Sequence, residues 1–162
     1  MVEEFAGYYE ANKKAIFNYA LYRVSFDRDI AEDLTSEIFL KAFTAFKSFD
    51  RKRSFKTWIF TIAHNHLINY YSSKKTTLSL DEACLIMKEE DVGAAVDKKG
   101  VLDKVFHIVE DLPEAQREIV IMKFVNDLEY DEIASVLGKE QGAVRTALSR
   151  AITAIKAKYD QQ

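Results

Sequence analysis

The sequence predicts an all-α protein made of two small helical domains joined by a flexible linker. One proline and five glycines in 162 residues favour helix throughout, and 48% apolar with 30% charged residues give a globular profile. A third feature divides it. Helical spacing of apolar residues is clear before Tyr71 and after Val101, and it degrades between Ser72 and Lys99. The boundaries drawn from this are residues 1–75 for the first domain, 76–100 for the linker and 101–162 for the second domain.

Three stripes run through the first domain. Ala15, Ile16, Tyr19, Ala20 and Tyr22 to Val24 form one, Ile30, Leu34, Ile38, Ala42 and Phe46 a second at i, i+4 steps, and Trp58, Ile59, Ile62, Ala63, His66 and Tyr70 a third. They read as three packed helices. Before the second, Asp27 or Asp29 is placed to cap free amides, and Glu32 and Asp33 suit the positive end of a helix. The short, polar, basic run Ser48 to Phe55 reads as a loop.

The linker opens with Ser72-Ser73-Lys74-Lys75-Thr76-Thr77 and continues through short apolar pieces and acidic clusters, with room for one weak helix. Pattern returns at Val101, Leu102, Val105, Phe106 and Val109. Pro113, the single proline, stands where the first turn of a helix tolerates it, and Ile119 to Phe124 continue that helix. Asp131 to Leu137 reads as a short helix, Gly138 as a left-handed stop, and Glu140 to Tyr159 as a longer final helix.

The net charge of −3 argues against a nucleic-acid partner until it is resolved along the chain. Residues 51–75 carry +6 with no acidic side chain, and residues 139–162 carry +3; the remaining segments are all acidic. Two basic islands in an acidic chain point to two places where phosphate is met. Several functions find no support. No apolar run approaches the roughly 20 residues needed to span a bilayer, and Met1 to Tyr22 lacks the pattern of a signal peptide, so a cytoplasmic protein is expected. Cys84 stands alone, which leaves no internal disulfide and no thiolate cluster. His64 and His66, two apart, face different sides of a helix and have no Cys or carboxylate nearby in sequence to complete a metal set. Neither a phosphate-cradling glycine loop nor a nucleophile with a base partner is present, so neither an enzyme nor a cofactor is expected.

Two motifs carry positive chemistry. Ile133-Ala134, Val136-Leu137-Gly138 and then Val144, Leu148, Ile152 and Ile155 have the layout of a helix-turn-helix: a small Ala allows close approach, Gly makes the turn, and the second stripe docks the final helix. Gln141, Arg145, Thr146, Ser149, Arg150 and Thr153 are left on the outer face, with chemistry suited to phosphate and base edges in a major groove. The same face also fits a solvated amphipathic helix in an ordinary bundle. Earlier, Arg51-Lys52-Arg53-Ser54-Phe55-Lys56-Thr57-Trp58, followed by His64-Asn65-His66 and Asn69-Tyr70-Tyr71, mixes cations, aromatic faces and carboxamides, as a single-strand site requires. Trp58 fits a core position as well as a stacking platform.

In order, these blocks resemble the extracytoplasmic-function group of bacterial sigma factors. The matching residues are Asp29-Ile30-Ala31-Glu32-Asp33-Leu34-Thr35-Ser36-Glu37-Ile38-Phe39-Leu40-Lys41-Ala42-Phe43, then Phe55, Trp58, Ile59, Ile62, Ala63 and Asn65, then Leu112-Pro113 with Arg117, and Tyr130, Glu132-Ile133-Ala134, Gly142, Val144-Arg145, Leu148 and Arg150-Ala151. The resemblance implies that the first domain is sigma region 2 and the second is sigma region 4. It implies that Asp33, Glu37, Phe39 and Lys41 dock on the clamp of the polymerase largest subunit. It implies that the loop Phe49 to Phe55 and the helix Trp58 to Tyr71 melt and read the minus-10 element, with Arg51, Arg53, Lys56, Trp58, Asn65 and Asn69 as contacts and an extruded base held in the loop. By the same resemblance Gln141, Arg145, Thr146, Ser149 and Arg150 enter the major groove at the minus-35 element, the second domain meets the polymerase flap, and the linker threads the polymerase channels. The implied partners are core polymerase, double- and single-stranded promoter DNA, and an anti-sigma protein, often membrane-bound, without insertion of this chain in the membrane.

The chain departs from the family pattern at Tyr70-Tyr71-Ser72-Ser73, where arginines are usual, at Glu129, where Ser is common, and at Ala147, often basic. These bear on promoter contacts rather than on class. A free-standing helix-turn-helix regulator is the alternative, but such regulators pair two heads on a palindrome, and no dimer stripe flanks the motif.

Overall fold

The first half folds because three apolar stripes need one another. In the computed structural model, which describes residues 1–77 and 97–161, α1 (Val2–Arg23), α2 (Arg28–Ala45) and α3 (Phe55–Thr77) pack around Ile16, Tyr19, Leu34, Ile38, Ile59 and Phe60. Asp27 caps α2, its carboxylate accepting the Ile30 amide at 3.1 Å. The turn before it holds Ser25 (φ 53°) and Phe26 (φ 65°) in the left-handed region, which is costly for a ring-bearing residue. Phe26 packs on Tyr22 and Phe106, at 4.8 and 5.5 Å between centroids. One 3-10 turn, Phe46–Ser48, ends α2 and swings the chain into the loop.

The second half contains α4 (Asp97–Glu110), α5 (Glu114–Val120), α6 (Tyr130–Leu137) and α7 (Gln141–Gln161). Pro113 is the residue just before α5, at φ −51° and ψ 141°. Beyond Val120 the helix widens into a π turn over Ile121–Val125, closed by the Asn126 amide on the Ile121 carbonyl at 3.1 Å. Ile119, Met122, Leu128, Ile133, Val144 and Leu148 form this core.

Several bounds shift from those read in the sequence. α1 starts at Val2, because no proline interrupts the stretch before Ala15 and the single glycine there, Gly7, is tolerated, even though the apolar stripe is thin. α3 runs to Thr77, two residues into the segment assigned to the linker, and α4 begins at Asp97. The weak linker helix and Cys84 fall outside the described residues. The two halves also lie in contact: α3 packs along α6, α1 meets the π turn, and buried residues of both halves form one continuous cluster.

Candidate nucleic-acid interface

The basic loop of the first half projects from an aromatic base. Phe49 and Phe55 are buried at its two ends, ring edge to ring face at 5.5 Å, and Tyr8, Phe5 and Phe46 close the cluster beneath them. Between those anchors, Asp50 folds the backbone by accepting the Lys52 amide on its carboxylate at 3.0 Å and the Arg53 amide on its carbonyl at 2.9 Å. Ser54 then accepts the Thr57 amide at 3.3 Å and starts α3. Lys52 and Arg53 are left pointing into solvent.

Arg51 is differently employed. Its guanidinium lies 4.4 Å above the Phe46 ring, donates to the Phe46 and Phe49 carbonyls at 3.2 and 2.9 Å, and pairs with Glu4 at 3.1 Å. That lowers the Glu4 pKa, through the hydrogen bond from Arg51 first, and raises that of Arg51. Trp58 is half-buried, 4.8 Å from Phe49 and 5.4 Å from Phe55, so the ring supports the loop as well as facing its surroundings. Asn65 and Asn69, one turn apart on α3, are exposed, with Ile68 between them. Lys56 is half-buried and lies 3.9 Å from Glu132 of α6.

On α2 the outer face carries Asp33, Glu37 and Lys41, all exposed, with Glu37 accepting from His66 at 2.7 Å. Phe39 is not on that face. It is 5% exposed and packs edge-on against Tyr9 at 4.8 Å, so it belongs to the core and offers a partner no surface. The apolar side chain that stands with Glu37 and Lys41 is Leu40, 67% exposed. Its position three residues after Glu37 is the signal by which the sequence could have found it.

In the second half the turn geometry is as the motif requires. Gly138 ends α6 at φ 63° and ψ 37°, and the Lys139 amide closes on the Ala134 carbonyl at 3.0 Å. Glu132 reaches back to accept the Glu129 amide at 3.0 Å, so Glu129 serves as a capping residue in place of the usual Ser. Val144, Leu148 and Ala151 dock α7, and Gln141, Arg145, Thr146, Ser149, Arg150 and Thr153 are all exposed. The Arg145 guanidinium rests 4.8 Å from the Tyr130 ring centre, whose surroundings also include Lys123 at 4.6 Å.

One polar cluster had no counterpart in the sequence reading. Glu118 of α5 is 5% exposed. It accepts from Tyr19 Oη at 2.7 Å and from Arg23 Nη1 at 3.0 Å, and it is bonded to His64 Nδ1; Glu114 adds a contact to Arg23 Nη2 at 3.0 Å. Burial works to raise the Glu118 pKa, but the hydrogen bond from His64 and the Arg23 charge prevail and hold it below the ordinary carboxylate value. Burial drives Tyr19 well up and Tyr71 up. His64 and His66 therefore serve different carboxylates, and among the described residues no three His, Cys, Asp or Glu side chains gather as a metal set. No helix among those residues is long and apolar enough to cross a membrane.

Residues 8–77 match the family described as Sigma-70 region 2, and residues 102–155 match Sigma-70, region 4. The ECF RNA polymerase sigma factor BldN of Streptomyces coelicolor is 30% identical over 158 residues; the match covers 93% of this chain and 58% of BldN, so the chain spans somewhat over half of that relative. The RNA polymerase sigma factor YlaC of Bacillus subtilis is 28% identical over 152 residues, covering 91% of this chain and 87% of YlaC. The same fold occurs in CnrH bound to the cytosolic domain of CnrY, with a TM-score of 0.75 at 20% identity over 100% of this chain and 91% of that one. It occurs also in RpoE bound to the anti-sigma factor NepR from Bartonella quintana, with a TM-score of 0.74 at 22% identity over 98% of each chain.

Proposed function

The chain belongs to the extracytoplasmic-function group of the sigma-70 family, and on that premise we propose that it directs core RNA polymerase to specific promoters and opens their minus-10 region. The observation that carries this is the order of three surfaces on one chain: an acidic helix with an exposed apolar spot, a rigid basic loop leading into a carboxamide-bearing helix, and a helix-turn-helix with its reading face free. A free-standing regulator accounts for the last of the three and leaves the first two without a role.

Region 2 is residues 1–75 and region 4 is residues 101–162, with 76–100 between them. The α2 face of Asp33, Glu37, Leu40 and Lys41 docks on the clamp of the largest subunit, Leu40 supplying the apolar centre that Phe39 cannot. Arg53 and Lys56 meet phosphates beside the melted strand, Asn65 and Asn69 read exposed base edges, and Trp58 backs the loop that holds an extruded base. Arg51 shapes that loop from beneath. At the minus-35 element Arg145 and Arg150 reach the major groove with Gln141, Thr146 and Ser149 around them, while region 4 also contacts the polymerase flap. The chain adds recognition and strand opening, with no bond-making chemistry of its own. It works in the cytoplasm, and an anti-sigma protein, as in the RpoE–NepR pair, holds it inactive there or at the membrane.

Purified chain added to sigma-free core polymerase should start transcription from a subset of a genomic promoter library. Absence of initiation across the library overturns the assignment. In the same assay Asn65→Ala should keep core binding but lose promoter opening; normal permanganate reactivity of the bubble would move the minus-10 site elsewhere.

A further inference from the structure

One aromatic ring in the second half meets two cations. Tyr130, the first residue of α6, is half-buried against the core. Lys123, from the π turn, has its ammonium 4.6 Å from the ring centre, donates to the Leu128 carbonyl at 3.3 Å and lies 3.9 Å from the Glu129 carboxylate. From α7 the Arg145 guanidinium lies over the same ring at 4.8 Å. Two like charges at one ring repel, and Glu129 beside Lys123 offsets that repulsion. Lys123 is thereby anchored at the turn, whereas Arg145 is exposed and, among the described residues, pairs with no carboxylate.

Resting on the promoter function proposed above, we infer that Tyr130 is a positioning residue: its ring holds the Arg145 guanidinium ready to meet the edge of a guanine in the minus-35 groove. An arginine reads guanine by two parallel N–H bonds to O6 and N7, which requires the planar fork to arrive edge-on. A long side chain free in solvent loses rotamer freedom on being fixed there, and one already held in place loses less. How it is held matters too. A carboxylate occupies the N–H donors that the base needs, whereas a ring attracts the guanidinium through its face and leaves those donors free. Arg51 shows the other outcome, since its N–H groups go to the Phe46 and Phe49 carbonyls and to Glu4.

The helix-turn-helix sets the separation of the two groups. Buried Ile133 and Ala134 fix the helix that carries Tyr130, and buried Val144 and Leu148 fix the one that carries Arg145. Thr146, next to Arg145, turns its hydroxyl back to the Gly142 carbonyl at 3.0 Å. Glu129, where the family commonly has Ser, bears on the reading face through Lys123 and the ring.

The test uses the full-length chain in two measurements. In the free protein, nitrogen relaxation of the Arg145 Nε–H group by NMR should show an ordered guanidinium, with Arg150, also exposed on α7, as the internal comparison. Tyr130→Phe keeps the ring and should keep that order. Tyr130→Leu keeps apolar bulk without a ring and should release Arg145 while leaving Arg150 unchanged; should it lose helix content, Tyr130→Met decides instead. The second measurement adds sigma-free core polymerase and selects duplexes from a randomised library. The guanine preference that disappears in Arg145→Ala marks the base this residue reads. At that base Tyr130→Leu should lower the preference several-fold and Tyr130→Phe should retain it, with preferences elsewhere in the motif unchanged. Added to Arg145→Ala, Tyr130→Leu should cause no further loss there. An Arg145 that is disordered in the parent protein or indifferent to Tyr130→Leu, an Arg145→Ala variant that loses no guanine preference, or a loss spread evenly over every position overturns the assignment. An ordered Arg145 in a chain that selects no sequence refutes the promoter function and leaves the hold of the ring on the arginine standing. A clear motif selected with a disordered Arg145 does the reverse.

Discussion

The two reading surfaces are built on opposite plans. In the second half the outer face of α7 is presented complete: three apolar residues dock the helix, and Gln141, Arg145, Thr146, Ser149 and Arg150 all stand in solvent. In the first half Arg53, Asn65 and Asn69 stand in solvent, but other proposed contact residues are part of the packing. Arg51 is committed to two carbonyls, an aromatic face and Glu4, Trp58 leans on Phe49, and Lys56 is drawn to Glu132. The difference matches the two tasks proposed for them. A duplex groove can be read by a rigid rod with free side chains, whereas an unpaired strand needs a shaped surface whose aromatic support must already be in place.

Deleting that support should have the largest effect. Phe46 is fully buried beneath the loop, and Phe46→Ala should cost about 3–5 kcal/mol in chemical denaturation followed through the tryptophan, with α7 binding to duplex DNA little changed. An equal loss of duplex binding would mean that the two surfaces are not separable. Next, Arg145→Ala should weaken minus-35 binding by about 1–3 kcal/mol with no change in melting temperature. Arg51→Ala should do the opposite, lowering stability more than duplex affinity, because its guanidinium is spent inside the protein. If the two arginines behave alike, the two surfaces are not built on different plans.

Gly138→Ala should cost about 1–2 kcal/mol, since an added Cβ meets no neighbour and the penalty is that of the left-handed backbone alone. A thermal unfolding shift confined to the second half would place the cost as expected. The smallest effect should come with acid. Glu118 is held below the ordinary carboxylate value in the folded protein despite its burial, so its contribution to stability is fully present above that ordinary value and lost as pH falls through the lowered one. Arg23, Tyr19, His64, Tyr71 and Glu114 all surround the site, and protonating Glu118 removes the anion they share. Stability in chemical denaturation should therefore fall as acid protonates Glu118, and Glu118→Gln should flatten that fall; an unaltered pH profile in the variant would assign the contact between the halves to apolar packing instead.

Much of this was legible in the chain. Apolar spacing at i, i+4 located the helices, one glycine located the turn, and uneven charge located both basic surfaces. Phe39 was misplaced because a periodic stripe does not say how wide the buried face is, and Tyr9, thirty residues earlier, is what covers it. Arg51 looked like a free cation because carbonyls brought near by a loop have no sequence signature.

By itself, then, the sequence determined the helical class, the order of surfaces and the helix-turn-helix, since these depend on neighbours three or four residues away. Tertiary structure alone decided that Arg23 meets Glu118 across 95 residues of chain and that Asn126 meets Ala15. Tyr19 lies in an apolar stripe and His64 in the basic stretch, and no local pattern pairs either with Arg23 or Glu118. Only when packing removes water from around these groups does each require the others, and the two halves are then joined by charges that local pattern could not pair.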